Sequence, residues 1–364
     1  MSESEVGHEV ADDETVLEVE DLVVDFETPR GTLRAVDGVS FKLKRQEAIG
    51  IVGESGSGKS VLARTLINLL AGNGRRSGRI KVVGHDIDTL TKAQAKHFFG
   101  VEVAMVFQDP MTSLNPVKRI GPQLTEGVRY HLGMSSKAAD ERAVKLLREV
   151  HIPAAERRLR QYPHELSGGM RQRVVIAMAL ACRPKVLLAD EPTTALDVTV
   201  QQTILDLLDE LRESQDMATV LITHDLGVAR ERTDKIGVMY AGRLMEYATS
   251  EGLFTAMRHP YSEGLFESIP RTDQPSHSRL NPIPGRPPDL LVPPAGCAFA
   301  PRCRYVMEDC LEGKPPLIEA VTGHAHACFH PVNTEDGMAA RAANEKAGIT
   351  AVGLKLGDQL AEAG

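Results

Sequence analysis

The 364-residue chain contains no tryptophan, and aromatic residues make up only 4% of it. Proteins that bind single-stranded nucleic acid use aromatic rings on which bases stack, and such rings are scarce here. No basic domain is visible either, since 42 Lys and Arg residues are outnumbered by 50 Asp and Glu residues, for a net charge of −8. Composition therefore argues against nucleic acid as a partner.

Long apolar runs are also missing. The longest run, residues 174–182, is about half as long as the ~18 residues that a transmembrane helix requires. The N-terminus has no basic segment followed by an apolar one, so a secretion signal is not expected. We expect a chain that stays in the cytosol unless a partner holds it at a membrane.

The two ends of the chain have unusual compositions. Residues 1–21 contain nine acidic residues and no Lys or Arg, whereas the rest of the chain is close to neutral. This pattern predicts a disordered acidic tail over residues 1–15. Residues 336–364 are rich in Ala and Gly and are predicted to be a flexible tail.

Between about residues 16 and 250, short apolar runs alternate with helical patterns. Strands are predicted over residues 47–53, 103–107, 186–190, 219–223 and 235–240, and helices over residues 59–70, 170–182 and 198–213, with a charged helical region at about 110–170. Apolar strands separated by helices predict an α/β fold whose parallel sheet is covered on both faces.

Residues 53–60, GESGSGKS, match the phosphate-loop pattern G-x-x-x-x-G-K-[ST] between a predicted strand and a predicted helix. The glycines let backbone N–H groups turn toward phosphate oxygens, and the helix that follows points its positive end at the same anion. Lys59 is predicted to reach the β- and γ-phosphates, and Ser60 to bind Mg²⁺. The predicted nucleotide-binding residues of this segment are Gly53, Glu54, Ser55, Gly56, Ser57, Gly58, Lys59, Ser60 and Val61.

A phosphate loop is shared by kinases, GTPases and transport ATPases, so residues farther along the chain must distinguish them. The apolar run 186–190 ends in Asp190, which is followed directly by Glu191. Two buried carboxylates side by side would be costly without a cation. We interpret Asp190 as a residue that holds Mg²⁺ through water, and Glu191 as one that orients or deprotonates the attacking water.

Residues 166–170, LSGGM, precede a predicted helix. Together with the phosphate loop and the Asp190–Glu191 pair, this segment resembles the ATP-binding subunits of ABC transporters, whose signature loop usually reads LSGGQ. Gln108 resembles the glutamine of that family's Q-loop, residues 195–197 (ALD) its D-loop, and His224 its switch histidine. The resemblance covers about residues 16–250.

This resemblance implies a P-loop NTPase (RecA-like) sheet, an antiparallel β subdomain, and a helical subdomain at about 110–170 that docks onto membrane partners. It implies that Glu191, His224 and Gln108 are catalytic, that Ser60, Gln108 and Asp190 hold Mg²⁺, and that Ser167, Gly168, Gly169 and Asp197 act at an ATP site shared in a head-to-tail dimer. An aromatic ring that stacks on adenine is expected at Phe26, with Phe41 as the alternative.

Four of the five cysteines lie near the C-terminus with the spacing C-x₅-C-x₆-C-x₁₇-C, at Cys297, Cys303, Cys310 and Cys328. Structural disulfides are not expected in a cytosolic chain, and the paired C-x₂-C spacing of ordinary zinc sites is absent. Four thiolates suit either Zn²⁺ or a [4Fe–4S] cluster. Three nearby histidines, His324, His326 and His330, leave a mixed zinc site open. The fifth cysteine, Cys182, lies in an apolar run and is interpreted as a core thiol.

Residues 259–261 (HPY), 283–285 (IPG) and 296–303 (GCAFAPRC) resemble the C-terminal extension of oligopeptide/dipeptide ABC ATPases. The resemblance implies an extension over residues 251–335 that holds a [4Fe–4S] cluster in preference to Zn²⁺. Ten of the 21 prolines fall within residues 260–301. This content predicts extended chain and excludes a regular helix there.

The sequence thus predicts an ATPase that powers import of di- or oligopeptides from the cytoplasmic face of the cell (inner) membrane. Expected partners are two transmembrane permease subunits, a second homologous ATPase and an extracytoplasmic substrate-binding protein. Three alternatives are the same machinery for nickel, glutathione or oligosaccharides, a soluble ABC ATPase acting on nucleic acid or the ribosome, and an iron–sulfur redox regulator that binds nucleotide. The single ATPase module argues against the second, and the presence of Glu191 and His224 against the third.

Overall fold

The computed structural model describes residues 14–194, 196–268 and 283–356. Its strands are β1 (Thr15–Thr28), β2 (Gly31–Lys44), β3 (Ala48–Val52), β4 (Gly74–Val82), β5 (His85–Asp86), β6 (Val103–Val106), β7 (Val186–Asp190), β8 (Ala218–Thr223), β9 (Lys235–Tyr240), β10 (Arg243–Thr249), β11 (Ile318–Val321) and β12 (His324–His326). Residues 1–13 of the acidic tail predicted over residues 1–15 lie outside the described residues. Residue 15 already belongs to β1.

The helices of the described ranges follow the predicted alternation closely. They are α1 (Lys59–Leu66), α2 (Lys92–Phe98), α3 (Pro110–Ser113), α4 (Ile120–Leu132), α5 (Ser136–Glu149), α6 (Ala155–Arg158), α7 (Gly168–Ala179), α8 (Val198–Ser214), α9 (Leu226–Arg232), α10 (Ser250–Thr255), α11 (Pro260–Glu267), α12 (Asp309–Glu312) and α13 (Glu335–Ala347). None of these described helices combines the length and apolar character needed to cross a bilayer.

The larger sheet has the strand order β11-β12-β10-β9-β3-β8-β7-β6. Strands β9, β3, β8, β7 and β6 pair in parallel, while β10, β12 and β11 continue the sheet in antiparallel fashion. Every residue of β3, β7 and β8 is buried, which explains their unbroken apolar sequences. The predicted α/β fold with a parallel sheet is confirmed.

A four-stranded antiparallel sheet, ordered β2-β1-β4-β5, covers one face of this sheet together with α1. Their shared core includes Leu17, Val39 and Ile80 from the small sheet and Ile49 and Leu66 from β3 and α1. Because β3, β6, β7 and β8 are parallel, the loops that follow them emerge at the same edge of the sheet. Ligands of open α/β sheets bind at such an edge.

Helices α3 to α7 occupy the region predicted to be helical. Their core includes Val128, Leu146 and Ile176, and it continues onto β6, β7 and α8. Helix α7 ends at Ala179, three residues earlier than the predicted helix. Cys182 consequently lies beyond the helix, half-buried against this core.

The C-terminal extension is continuous with the ATPase sheet. Strand β12 pairs with β10, and a third core joins Tyr240 and Leu253 to Phe299 and Val306. The prediction that its proline-rich segment excludes a helix is wrong at residues 260–267, which form α11. Pro260 is tolerated because it occupies the first turn, where its missing N–H has no helical acceptor. The neighbouring His259 Nδ1 accepts a hydrogen bond from the Tyr261 N–H at 3.0 Å.

The prediction of a flexible tail over residues 336–364 is also wrong for its first part, because α13 covers Glu335–Ala347. Thr334 caps this helix by accepting from the Gly337 N–H at 3.1 Å, and Gly348 ends it in the left-handed conformation. The negative charges of the two acids at residues 335 and 336 stabilise the positive N-terminal end of this helix. Residues 357–364 lie outside the described residues.

Asn344 fixes α13 to the cysteine-bearing segment. Its buried amide donates to the carbonyls of Arg304 and Val306, both at 3.0 Å. Asn344→Ala would leave both carbonyls without this donor, so we expect a loss of about 2 kcal/mol in the free energy of unfolding, measured by denaturant titration. Lys346→Ala, at an exposed position of the same helix, is the control. Equal stability of the two variants would contradict docking of α13.

Candidate functional site

The phosphate loop joins β3 to α1 and is packed against β2 and β9. Gly53 (φ +154°) and Gly58 (φ +102°) have backbone conformations that L-residues rarely adopt. A Cβ atom at Gly53 would lie 2.1 Å from the Met239 carbonyl oxygen, and one at Gly58 would lie 2.2 Å from the Ala35 carbonyl oxygen. Both positions therefore require glycine for conformation and for space. Sequence reasoning did not identify Ala35 or Met239 as the supports of this loop.

Lys59 lies inside the loop. Its Nζ donates to the carbonyl oxygens of Gly53 (2.7 Å) and Glu54 (2.8 Å) and to Ser57 Oγ (3.3 Å). Burial lowers the pKa of Lys59, although the charges of nearby carboxylates oppose this shift. A buried ammonium held by neutral carbonyl groups at the start of a helix is a prepared site for an anion.

Ser60 and Asp190 form the next part of the site. Ser60 Oγ donates to Asp190 Oδ1 at 2.9 Å, and Asp190 is fully buried. Burial raises the pKa of Asp190. Its Oδ2 has no hydrogen-bond partner among the described residues. A hydroxyl beside an unpartnered, buried carboxylate oxygen is the oxygen donor set that suits Mg²⁺, so these residues fit the ion.

Three side chains converge on Glu191. Gln108 Nε2 donates to Glu191 Oε2 at 3.0 Å, Thr194 Oγ1 donates to the same oxygen at 2.8 Å, and His224 Nδ1 lies 3.5 Å from it. Glu191 itself has φ +45°, and its N–H donates to the Ile222 carbonyl at 2.9 Å. The structure thus brings Gln108, Glu191 and His224 together. Thr194 was missed, and its only signal was its place between Glu191 and the predicted D-loop.

The signature and D-loop residues lie at two adjacent helix N-termini. Ser167 Oγ accepts from Met170 N at 3.3 Å to cap α7, and Asp197 Oδ1 accepts from Val200 N at 3.0 Å to cap α8. A Cβ atom on Gly169 would lie 2.9 Å from Val200 Cγ1. Helix α7 packs on α3, α4, α5, α8 and β6, whereas α1, after the phosphate loop, packs on β2, β7 and β8. The signature loop and the phosphate loop therefore belong to different hydrophobic cores of the same chain. Of the predicted D-loop, residue 195 lies outside the described residues.

The two aromatic candidates for adenine stacking have different surroundings. Phe41 is buried in the core between the sheets. Phe26 is half-buried at the end of β1, opposite Leu33 of β2, and its ring covers Gly74. Only Phe26 thus remains accessible enough to stack on a base, and its role stays a prediction.

The four C-terminal cysteines line one small enclosed cavity, although they are spread over 32 residues of the sequence. Three are buried and Cys328 is half-buried, and all four are free thiols. Burial raises the pKa of each thiol, to about 11 for Cys310. Four thiols that face one apolar cavity fit a soft metal centre, since its positive charge would offset the cost of burying thiolates.

A second possible ligand set shares one of these cysteines. Single ligand atoms of Asp309, Cys310 and His330 lie within 4.8 Å of one another, and His330 Nε2 is 2.9 Å from Asp309 Oδ1. His324 is instead bound to the buried Glu246 at 2.7 Å. Among the described residues, His330 is the candidate histidine that lies within this distance of two other possible ligands, which is what a mixed zinc site requires.

A phosphate loop, a buried acid at a strand end and a carboxylate contacted by three polar side chains, all at one edge of a parallel sheet, define a P-loop ATPase. The family described as "ABC transporter" matches residues 36–194, and "Oligopeptide/dipeptide transporter, C-terminal region" matches residues 245–310. The chain belongs to the ABC transporter family and is one of its ATP-hydrolysing subunits.

Relatives with assigned names resemble nearly the whole chain. It is 51% identical over 317 residues to "Oligopeptide transport ATP-binding protein OppD" of Salmonella typhimurium, an alignment that covers 87% of this chain and 94% of that protein. The protein of the same name from Bacillus subtilis is 47% identical over 312 residues, covering 85% of this chain and 87% of that protein.

Solved structures confirm the fold of the cassette. The ATP-binding cassette MJ0796, solved as a dimer in a post-hydrolysis state with ADP and Pi, has a TM-score of 0.58 and 27% identity, and the match covers 64% of this chain and 98% of that one. The cbiO1 protein of Clostridium perfringens, part of the ABC transporter complex cbiONQ, has a TM-score of 0.57 and 28% identity, with 67% and 92% covered.

Proposed function

We propose that this chain is the ATP-hydrolysing subunit that powers import of oligopeptides through an ABC transporter. The substrate class is supported by the likeness to oligopeptide transport ATP-binding proteins and to the C-terminal region of that group. The convergence of Gln108, Thr194 and His224 on one oxygen of Glu191 is the observation that carries the catalytic assignment.

The reaction is phosphoryl transfer from ATP to water, and the protein supplies positioning and charge. Lys59 and the loop N–H groups bind the phosphates, with Glu54, Ser55, Gly56, Ser57 and Val61 forming the rest of the cradle. Ser60, Asp190 and Gln108 would hold Mg²⁺, which would neutralise charge on the phosphate oxygens. Glu191 accepts the proton of the attacking water, and His224 contacts the γ-phosphate.

A second ATPase completes the site in this proposal. Ser167, Gly168, Gly169 and Asp197 lie on helices whose N-termini attract anions, but they belong to a different core from the phosphate loop. A head-to-tail dimer would bring these residues onto the nucleotide of the partner. The dimeric state of the related cassette supports this arrangement.

Permease subunits are proposed to dock at a groove beside Gln108. This open groove of about 950 Å³ lies between the helical core and the large sheet, and apolar side chains including Phe99, Phe107 and Met178 line it. A short amphipathic helix of a permease fits such a surface. Because Gln108 lies in the wall of the groove and donates to Glu191, movement of the permease would reach Glu191 directly. We infer that the permease partners would hold this chain at the cytoplasmic face of the inner membrane.

The four cysteines are proposed to hold a [4Fe–4S] cluster, with Zn²⁺ as the alternative. The cluster would link four positions of an extension that has little regular structure. Protein purified without oxygen is expected to contain close to four iron atoms per chain. Cys303→Ser should lose the iron and His330→Ala should retain it. One zinc atom that survives Cys303→Ser and is lost in His330→Ala would instead favour the Asp309–Cys310–His330 set.

Transport is tested by purification from native membranes. Tagged chain, extracted with a mild detergent, is expected to retain two multi-span permeases and a second ATPase. In the reconstituted complex, ATP hydrolysis should rise with a peptide-loaded extracytoplasmic binding protein. A response to nickel, glutathione or an oligosaccharide in place of peptide would change the proposed substrate class. Recovery of the chain without membrane partners would contradict its proposed role in an importer.

A further inference from the structure

Arg302 joins the cysteine site to the phosphate loop. It lies between Cys297 and Cys303 in the sequence, and only 3% of its side chain is exposed. Its guanidinium makes two parallel bonds to Glu54, from Nη1 to Oε2 at 2.6 Å and from Nη2 to Oε1 at 2.9 Å. Such paired bonds fix both distance and orientation. The second residue of the phosphate loop is therefore held by a residue 248 positions away.

The remaining donors of Arg302 are also used. Nε donates to the Pro284 carbonyl (2.7 Å), Nη1 to the Tyr240 hydroxyl (3.3 Å), and Nη2 to the Ile283 carbonyl (3.3 Å). Burial opposes the charge of Arg302, yet its bonds to Glu54 and Tyr240 hold its pKa above the ordinary value. The guanidinium is thus locked on all sides, and losing Glu54 would leave a buried charge unpaired.

Tyr261 holds the backbone of the same loop residue. Its hydroxyl accepts from the Glu54 N–H at 2.8 Å. The fully buried Tyr261 ring packs on Phe299, 5.3 Å between centroids, and Phe299 lines the cysteine cavity. The Glu54 carbonyl in turn accepts a hydrogen bond from Lys59 Nζ. One continuous set of contacts therefore runs from the cysteine cavity to the phosphate-binding lysine.

We propose that Arg302 and Tyr261 are positioning residues for the phosphate loop, and that metal occupancy of the four-cysteine site tightens ATP binding through them. The second part rests on the proposed metal site. A bound metal fixes the segment that carries Arg302, so that less order must be gained when ATP binds. By reciprocity, bound ATP must raise the affinity of the site for the metal by the same factor.

Full-length variants test the positioning role through the dissociation constant of Mg²⁺-ATP. Arg302→Met is expected to raise it at least ~10-fold, and Tyr261→Phe, which keeps the ring, several-fold. Arg302→Lys should recover part of the affinity, since it retains the charge but loses the paired bonds. Arg304→Met is the matched control. Arg304 lies two residues away and pairs with Glu267 at 3.2 Å, so its loss should change ATP affinity less than twofold.

Metal removal tests the coupling. Extraction of the metal from the wild-type chain should raise the dissociation constant of ATP about 10-fold, and should have a clearly smaller effect on Arg302→Met, which retains only the link through Tyr261. In the wild-type chain, ATP should raise the affinity for the metal by a similar factor, measured by equilibrium competition with a chelator. Equal metal affinities with and without ATP would overturn the coupling. Wild-type affinity in both Arg302→Met and Tyr261→Phe would overturn the positioning role.

These outcomes are separable from failure of the proposed function. A chain purified without metal would remove the coupling but leave the effects of Arg302 and Tyr261 on ATP affinity. A chain that binds ATP but drives no transport would contradict the importer and leave both parts of this inference standing, because each is measured by binding alone.

Discussion

Glu191→Gln is expected to lower the rate of ATP hydrolysis about 10²–10⁴-fold while ATP binding is retained. The amide has nearly the shape of the carboxylate and can still accept hydrogen bonds from Gln108 and Thr194, which now reach Oε2 at 3.0 and 2.8 Å. It cannot accept a proton from water. Phosphate release in single-turnover conditions measures the loss, and light scattering with ATP should show a persistent dimer.

Glu213→Gln is the matched control for this result. Glu213 lies exposed on α8 and undergoes the same chemical change away from the site. Its hydrolysis rate should equal that of the wild-type chain. Unchanged turnover in Glu191→Gln would overturn the catalytic assignment, and a loss of ATP binding would show that Glu191 acts on the structure of the loop instead.

The catalytic residues could be predicted because each follows a short apolar strand. Gln108, Glu191 and His224 come directly or nearly directly after β6, β7 and β8, and parallel strands deliver their C-terminal ends to one edge. Once a parallel sheet was predicted, the position of each residue just after a strand was enough to predict that the three lie close together. Thr194 lacked such a signal because a threonine in a turn is common, and its contact depends on the unusual backbone angle of Glu191.

The contacts between the C-terminal extension and the ATPase core could not be predicted from local sequence. The Arg302–Glu54 pair spans 248 positions, and no periodicity links its two partners. Cysteine spacing indicated a metal site, whereas the common cavity depends on how β12 joins the sheet and on how the third core packs. Helix α13 was missed because the glycines of residues 336–364 were weighed together with its Ala-rich first part, which by itself has high helix propensity. Docking through Asn344 stabilises the helix further.

Gly58→Ala is expected to abolish ATP binding and to lower the free energy of unfolding by about 3 kcal/mol or more. At φ +102°, the new methyl group would lie 2.2 Å from the Ala35 carbonyl oxygen and 2.9 Å from Met239 Cε. The methionine end can move, but Ala35 belongs to the backbone of β2. The loop must therefore withdraw from β2, which would displace the start of α1 and Lys59. Denaturant titration and binding of a fluorescent ATP analogue measure the two effects.

Gly84→Ala separates the clash from the cost of a positive φ. Gly84 has φ +76° and nothing within 4 Å of the added methyl group, so this variant should lose only about 1 kcal/mol and bind ATP normally. The difference between the two variants then reports mainly the contacts of the new methyl group with Ala35 and Met239. If Gly58→Ala loses no more stability than Gly84→Ala and still binds ATP, β2 does not support the phosphate loop. A larger loss in Gly58→Ala, with ATP binding abolished, would establish the antiparallel sheet as part of the nucleotide site, although the phosphate-loop pattern itself contains none of its residues.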